Sequence, residues 1–235
     1  MSPSWNVASH RPLAALADGL WQVEADLAML PIGRRMTVAR LAGGEVVIYN
    51  AIACDDPTMV AIEALGPVRW IVVPSGHHRM DAPAYAARYP DAKVLAPAGS
   101  VKRVEKVVRV DGTLDLLPAD PQLRWEALDG IPAEVVLVHS DGTRASLIFN
   151  DAFMNLPATL PGFKGFVVKL IGSTGGPKVT RTAKFFLIKD RAAYAAHLRR
   201  LAELPALARV IVSHGAILEA GAGEALAAAA DRLHR

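Results

Sequence analysis

The sequence predicts an α/β protein in which two β-sheets pack face to face and helices cover their outer faces. Strand-like runs dominate the front of each half of the chain, and helical segments close each half. The 235 residues are 52% hydrophobic, which is enough to bury a substantial core. Because no long polar linker or low-complexity tract divides the chain, we expect a single domain over residues 1–235, built from two similar halves.

The first half contains three strand-like runs before its short helices. These runs are LWQVEA, MTVARLAGGEVVIYN and WIVVPS, and the middle run is a hairpin that turns at Ala42-Gly43-Gly44. The segment DDPTMVAIEALG has a capping aspartate, a proline at an early helical position and a terminal glycine, which together predict a helix. Two shorter helices, APAYAARYP and SVKRVEKV, are predicted on either side of the strand KVLAP.

The second half repeats this order with a longer helical end. Its strand-like runs are LRWEAL, AEVVLVH and RASLIFN, and the last two are joined by a turn at Ser140-Asp141-Gly142. An irregular middle follows. The half closes with the predicted helix RAAYAAHLRRLAEL, the strand ARVIVSH and the helix AGEALAAAADRL.

Composition disfavours several classes of protein. No apolar run approaches the roughly 18 residues that a membrane span needs, and the opening segment lacks the basic and apolar regions of a signal peptide. Cys54 is the only cysteine, which excludes an internal disulfide and a cysteine-rich zinc site and favours a cytoplasmic location. The net charge of +3 is too small to indicate nucleic-acid binding by itself.

Metal-competent side chains stand just beyond three apolar strands. His77 and His78 follow WIVVPSG, Asp151 follows SLIFN, and His214 follows ARVIVS. Any one of these residues alone would more often be structural. Grouped at strand ends, however, they would form a site on a rigid frame. Imidazole and carboxylate ligands in this mixture suit zinc, iron or manganese, so the pattern predicts a metal site.

The same segments resemble the metallo-β-lactamase superfamily over nearly the whole chain, from LWQVEADLAMLPIGRRMTVARLAGGEVVIYN to VIVSHGAILEAGAGEAL. The resemblance rests on a strand followed by a ligand at IVVPSGHH, LIFNDAF and IVSHGAI, the last close to the family's late GHG. It implies a four-layer αββα sandwich with a metal site at the edge between its sheets. The signature H-x-H-x-D-H is absent, so the chain resembles a divergent branch.

The resemblance also implies which ligands remain. With the helix ending at ARYP as the anchor, the last histidine of the motif falls on His78, its aspartate on His77, and its first two histidines on Val73 and Ser75. The family's PGH turn corresponds roughly to LDGIPAE, which has no histidine. The three histidines of the first metal are therefore replaced. The resemblance therefore implies one divalent ion, or none if the site is inactive. Zinc is expected before iron or manganese. The ligands would be His78, Asp151 and His214, with His77 replacing an aspartate.

Asp81 offers another anchoring of the motif. Aligning the family's aspartate with Asp81 would demand ligands from Arg79 and Ala82. Asp81 therefore fits better as the cap of the helix APAYAARY, with a position near the metal as the alternative.

The predicted hairpin at Ser140-Asp141-Gly142 separates two other polar residues. It places His139 at the opposite end from Asp151, which favours a surface position for His139. It also brings Glu134 back towards Asp151, so we expect Glu134 to support the ligands from behind.

A basic segment follows Asp151. From Met154 to Lys189 there is no acidic residue, and six residues are basic: Lys164, Lys169, Lys178, Arg181, Lys184 and Lys189. In the resembled family this segment commonly borders the active site, which implies an anionic substrate and makes Lys164 a candidate contact. The alternative is a solvated basic surface. The run GSTGGPK lacks the spacing of a phosphate-binding P-loop, and no aromatic interleaving favours nucleic acid.

We therefore expect a metal-dependent hydrolase of a small anionic ester, amide or thioester. His77 would complete the ligand shell or act as general base, because an imidazole with a pKa of about 6.5 suits proton transfer. The resemblance also leaves an iron oxidoreductase open. The competing class is a binding or regulatory protein without catalysis. We expect a small anionic substrate as partner, neither nucleic acid nor membrane, and the apolar composition is compatible with a homodimer.

Overall fold

The computed structural model describes residues 4–27 and 29–233. Tertiary contacts group them into two compact units. The first unit lies within Met1–Asp26 and Arg35–Arg124, and the second within Leu27–Arg34 and Trp125–Arg235. The expectation of a single domain built from two halves stays a prediction.

A six-stranded sheet forms the centre of the first unit, with its strands in sequence order. The first four strands are β1 (Ala14–Ala17), β2 (Leu20–Asp26), β3 (Gly33–Arg40) and β4 (Val46–Tyr49). Two further strands, β5 (Val68–Val72) and β6 (Lys93–Leu95), run parallel to β4. The predicted hairpin is confirmed, because β3 and β4 are antiparallel with Arg40 opposite Val46.

Three helices accompany this sheet: α1 (Asp56–Glu63), α2 (Ala82–Arg88) and α3 (Val101–Val104). Helix α1 begins as its sequence predicts, because a carboxylate oxygen of Asp55 accepts a hydrogen bond from the Thr58 backbone N–H at 3.0 Å. The chain turns back after α1 at Gly66, where φ is +146° and an added Cβ would lie 2.0 Å from the Gly44 carbonyl oxygen. This glycine therefore fixes the approach of β5 to the β3–β4 hairpin.

A four-stranded sheet forms the centre of the second unit. Its strands are β7 (Leu123–Ala127), β8 (Val135–Ser140), β9 (Ala145–Phe149) and β12 (Leu207–Val212), and they lie in the order β12-β9-β8-β7. The predicted β8–β9 hairpin is confirmed by the antiparallel pairing of Ser140 with Ala145. Strand β12 lies beside β9 and runs parallel to it. The strands that precede Ser75 and Asn150, β5 and β9, thus belong to different sheets.

The segment that the sequence left irregular is in fact structured. It contains strands β10 (Met154–Leu156) and β11 (Gly176–Lys178), which pair antiparallel, and helices α4 (Gly162–Leu170) and α5 (Arg181–Phe186). The sequence pattern did not reveal α4 because the run PGFKGF places a proline and two glycines at its start, and such residues are typical of turns. The apolar residues of α4 at positions 163, 166, 167 and 170 are exposed. The unit closes with α6 (Arg191–Ala202) and α7 (Ala222–Asp231), as predicted.

Each unit has its own apolar core. In the first unit, side chains from β2 to β6 pack with α1 and α2 around the buried Tyr85. In the second unit, Phe149 and Phe153 lie among residues of β8, β12, α6 and α7. Among the helices of the described residues, none combines the length and apolar character that crossing a membrane would require.

Candidate metal centre

Asp151 and His214 lie side by side because two parallel strands end together. Phe149, the last residue of β9, is opposite Val212, the last residue of β12. Each ligand candidate stands two residues beyond its strand. Parallel neighbours deliver their carboxyl ends to the same sheet edge, and here the Asp151 Oδ1 and His214 Nε2 atoms are 3.4 Å apart.

This separation fits two ligands of one metal ion. Zinc lies about 2.0 to 2.2 Å from histidine nitrogen or carboxylate oxygen, and two such ligands at a tetrahedral angle are about 3.4 Å apart. The His214 side chain is 7% exposed and the Asp151 side chain is 18% exposed, so the pair is largely shielded from solvent. The second unit therefore contains a histidine–carboxylate pair that is able to hold a divalent metal ion.

The orientation of His214 is fixed by its other ring nitrogen. His214 Nδ1 lies 2.7 Å from the carbonyl oxygen of Gly33. Because a carbonyl oxygen only accepts, Nδ1 carries a proton, and in the neutral imidazole Nε2 presents its lone pair towards Asp151. Metal-binding histidines are typically held in this way, with the second nitrogen donating to a fixed oxygen.

Gly215 fixes the backbone immediately after His214. Its φ is +99°, and an added Cβ would lie 2.0 Å from the carbonyl oxygen of Asn155. The Asn155 N–H donates to the His214 carbonyl oxygen at 3.3 Å, and the Ala216 N–H donates to the Asn155 carbonyl at 3.0 Å. The run SHG of the sequence thus supplies both a ligand candidate and the glycine that the tight backbone contact requires.

Glu134 holds the turn that carries Asp151. Its carboxylate accepts from the Asp151 N–H at 3.3 Å, the Ala152 N–H at 2.9 Å and the Asn150 side-chain amide at 2.9 Å. The residue is 1% exposed. Glu134 therefore lies beside Asp151, as the predicted hairpin requires, and is bonded to the backbone of the turn.

His139 is at the opposite end of the hairpin from Asp151, as predicted. It pairs with Ser146, next to the turn, whereas Asp151 follows the far end of β9. The prediction of a surface position is wrong, because His139 is 0% exposed. All but the last residue of β8 are buried, so neither face of this strand is open to solvent.

In the first unit, His78 is oriented by Asn50. The Asn50 side-chain nitrogen donates to the Arg35 carbonyl oxygen at 2.8 Å, which turns the amide oxygen towards His78 Nδ1 at 3.1 Å. His78 Nδ1 is therefore the donor, and in the neutral imidazole Nε2 is the nitrogen with the lone pair, as in His214. Asn50 was not among the predicted site residues, although it too is a polar residue directly after an apolar strand.

Asn50 occupies a backbone conformation that suits this task. Its φ is +62°, which asparagine tolerates better than most residues. Its N–H donates to the carbonyl oxygen of Val72 at 3.1 Å, so the residue is tied to the last position of β5.

His77 is exposed, unlike its neighbour. Its Nε2 atom lies 2.9 Å from Arg103 Nη1. Since a guanidinium only donates, Nε2 is the acceptor of this hydrogen bond. A ligand or base role for His77 through this nitrogen therefore requires Arg103 to move away.

Asp81 occupies the N-cap position of α2, but the predicted capping bond is absent: the side chain makes no hydrogen bond to the helix N-terminus. The Asp81 backbone is helical, with φ −100° and ψ 0°, and a capping side chain normally needs an extended backbone. One carboxylate oxygen instead accepts from the Ala53 N–H at 3.2 Å. Lys164 is exposed on α4.

The fold of the chain is similar to that of solved metallo-β-lactamases. Neither protein-family models nor curated proteins match the sequence. The metallo-β-lactamase FIM-1 from Pseudomonas aeruginosa, in its mono-zinc form, matches over 97% of this chain and 98% of its own, with a TM-score of 0.63 and 15% identity.

Two further solved enzymes give the same result. The metallo-β-lactamase from Erythrobacter litoralis matches over 94% of this chain and 96% of its own, with a TM-score of 0.63 and 16% identity. The metallo-β-lactamase from Hirschia baltica matches over 94% of this chain and 98% of its own, with a TM-score of 0.58 and 13% identity. These matches confirm the predicted αββα fold class. The chain therefore has the metallo-β-lactamase fold.

Proposed function

We propose that the chain is a metal-dependent hydrolase of a small anionic ester, amide or thioester. One divalent metal ion would be held by His78, Asp151 and His214, each of which offers a ligand atom of the right kind. The observation that carries the proposal is the Asp151–His214 pair, whose 3.4 Å separation and fixed imidazole suit a shared metal ion.

Zinc is the proposed ion. Two imidazole nitrogens and one carboxylate oxygen are ligands that zinc accepts, with a further position open in its catalytic sites. Iron and manganese also bind such sets. The solved FIM-1 structure is a mono-zinc form, which supports the choice of a single zinc ion for this chain.

The side chains around the ligands have distinct roles in this proposal. A bound divalent ion supplies polarisation of the scissile carbonyl and activation of water. Asn50 and the Gly33 carbonyl orient the two imidazoles, and Glu134 holds the turn of Asp151. His77 is the proposed proton acceptor, and the exposed Lys164 attracts the anionic group of the substrate.

A non-catalytic binding protein is the second candidate, and the contact between His77 and Arg103 favours it. Because Arg103 donates to His77 Nε2, this nitrogen of His77 is already engaged and is not poised to accept a proton from water. A protein of this kind would retain the metal ion and bind anions without turnover.

Hydrolysis of a panel of carboxylate-bearing p-nitrophenyl esters, anilides and thioesters tests the proposal. We expect turnover by protein purified without chelator, loss of turnover on dialysis against chelator, recovery on adding zinc, and no turnover by His214→Ala. The control is His139→Gln, which alters a histidine of the same sheet away from the Asp151 end. Zinc-loaded protein with no turnover on any ester, anilide or thioester would favour the binding protein.

A further inference from the structure

A cavity in the second unit is lined by basic side chains. Its volume is about 550 Å³, and residues of α4, β11, α5 and α7 form its wall. Among the lining residues that the structure describes none is acidic, and five are basic: Lys169, Lys178, Arg181, Lys184 and Arg232. None of the lining residues is a proposed metal ligand.

The basic residues of the cavity have no acidic partner within the part of the chain that the structure describes. In residues 4–27 and 29–233 no ion pair joins any of the five to a carboxylate. The Lys178 ammonium donates to the Thr174 carbonyl, and the Lys184 ammonium donates to the Arg232 carbonyl at 2.6 Å. An ammonium has three N–H donors, so both lysines retain donors for a further acceptor.

Two of the positive charges of the cavity, those of Lys178 and Lys184, are partly buried. Burial lowers the pKa of Lys178, and the positive charges of Arg232 and Arg181 lower it further. Burial also lowers the pKa of Lys184, with added repulsion from Arg191, Arg232 and Arg181. Repulsion among cations is relieved when an anion binds between them, and a polyvalent anion relieves it most.

The backbone of the cavity wall is shaped around one arginine. At Gly172, where φ is +76°, an added Cβ would lie 2.5 Å from Arg181 Cδ, so the arginine side chain lies directly against the glycine. A guanidinium held in this way presents a planar donor fork that matches a phosphate or a carboxylate. The volume is that of a pocket for a small molecule.

We propose that this cavity binds a compact anion with two or more negative charges, of the phosphate-ester class. Arg181 would contact two of the anion's oxygens, and Lys178 and Lys184 would contact others from the more buried side. Lys169 and Arg232, both exposed, would draw the anion to the cavity from solvent. The ligand would bind here whether or not the chain holds a metal ion.

Calorimetric titration with inorganic pyrophosphate in a buffer of low ionic strength tests this site. We expect one molecule to bind per chain, and binding to weaken as sodium chloride is added. The double variant Lys178→Gln/Arg181→Gln should bind at least about tenfold more weakly, because charge-assisted hydrogen bonds are lost. Lys184→Gln provides a second, single change, and circular dichroism checks that each variant is folded.

Two controls separate this site from others. Lys189→Gln removes the same charge from an exposed position of the same segment outside the cavity, and it should leave the affinity unchanged. His214→Ala should also bind as the wild type does, which shows that pyrophosphate does not act by contacting a metal ion. The proposal is overturned by absence of binding, by equal weakening in Lys189→Gln, or by loss in His214→Ala with retention in the double variant.

Discussion

The Nδ1 atom of His214 is 2.7 Å from the carbonyl oxygen of Gly33, a residue 181 positions earlier in the chain. This bond sets the tautomer of the imidazole and directs Nε2 to Asp151. The acceptor is a backbone atom, so no substitution removes it directly. The bond can instead be disturbed through Gly215, which fixes the backbone beside His214.

Gly215→Ala should weaken metal retention and destabilise the fold. The new Cβ would meet the Asn155 carbonyl at 2.0 Å at a φ of +99°, so the backbone beside His214 must shift. We expect a loss of more than about 2 kcal/mol in the free energy of unfolding, since a left-handed position alone costs about 1 to 3 kcal/mol. Urea unfolding and metal analysis measure both effects.

Gly142→Ala is the matched control for that substitution. Its φ is +89°, but no atom lies within 4 Å of an added Cβ. It should therefore show the cost of backbone strain alone and leave metal content unchanged. Equal losses of stability and metal in the two variants would refute the explanation by close contact.

Glu134→Gln should loosen the turn of Asp151. One carboxylate oxygen becomes an NH₂ group, which cannot accept from the Asp151, Ala152 or Asn150 donors that Glu134 now satisfies. Leaving a buried donor unsatisfied costs about 1 to 3 kcal/mol, and urea unfolding measures it. Glu203→Gln, at an exposed position of the same unit, should cost little. A Glu134→Gln protein as stable as the wild type would contradict this role.

Asn50→Gly should reduce metal affinity by about 10- to 100-fold, the usual effect of removing a partner that orients a ligand histidine. Glycine keeps the φ of +62° accessible, so the change reports on the side chain. Asn50→Asp retains an oxygen for His78 Nδ1 and should lose less affinity. Competition with a chromogenic zinc chelator gives both values, and a greater loss in Asn50→Asp than in Asn50→Gly would argue against the bond to His78.

His77→Gln should lower turnover and leave metal content unchanged, because His77 is proposed to move a proton rather than to bind the ion. Steady-state hydrolysis and metal analysis of the same preparation separate the two effects. Loss of the metal ion in this variant would instead assign His77 to the ligand shell.

The stability of the second unit should fall as the pH is lowered through the titration of His197. Burial lowers the pKa of this histidine and the Arg200 charge lowers it further, while Asp129 and Glu126 oppose the shift. The unfolded chain, with a pKa of about 6.5, binds the proton more readily. The stability that neutral His197 contributes is therefore fully present above pH about 6.5, and it is lost as the pH falls through the lowered pKa of His197 in the folded protein.

His197→Gln should flatten this dependence. Urea unfolding between pH 5 and pH 7.5 compares the two proteins, and the wild type should lose more stability than the variant on the acid side. Parallel curves would show that His197 does not cause the dependence.

The part of the site that the sequence predicted rests on strand ends. Apolar runs that stop at a polar residue placed Asp151 and His214 beyond their strands, and the parallel pairing of β9 with β12 brings them together. The Ser140-Asp141-Gly142 turn was sufficient to bring Glu134 to Asp151 and to keep His139 away. The positions of Glu134 and His139 follow from the local pairing of β8 with β9, which turn residues determine.

Other features depend on contacts that no local pattern contains. The Gly33 carbonyl that orients His214 is a backbone atom far away in sequence. His139 is buried because β8 is covered on both faces. The sequence of β8 does not distinguish a strand covered on both faces from one that is exposed on one face. Helix α4 was missed because Pro161, Gly162 and Gly165 at its start are typical of turns, and its exposed apolar stripe gave no core against which to place it.

Metal analysis of the purified protein tests the central claim most directly. Protein prepared without chelator should contain about one equivalent of zinc, His214→Ala should contain almost none, and His139→Gln should match the wild type. The account is contradicted if wild-type protein holds less than about a tenth of an equivalent of any transition metal, even after incubation with zinc and removal of the excess.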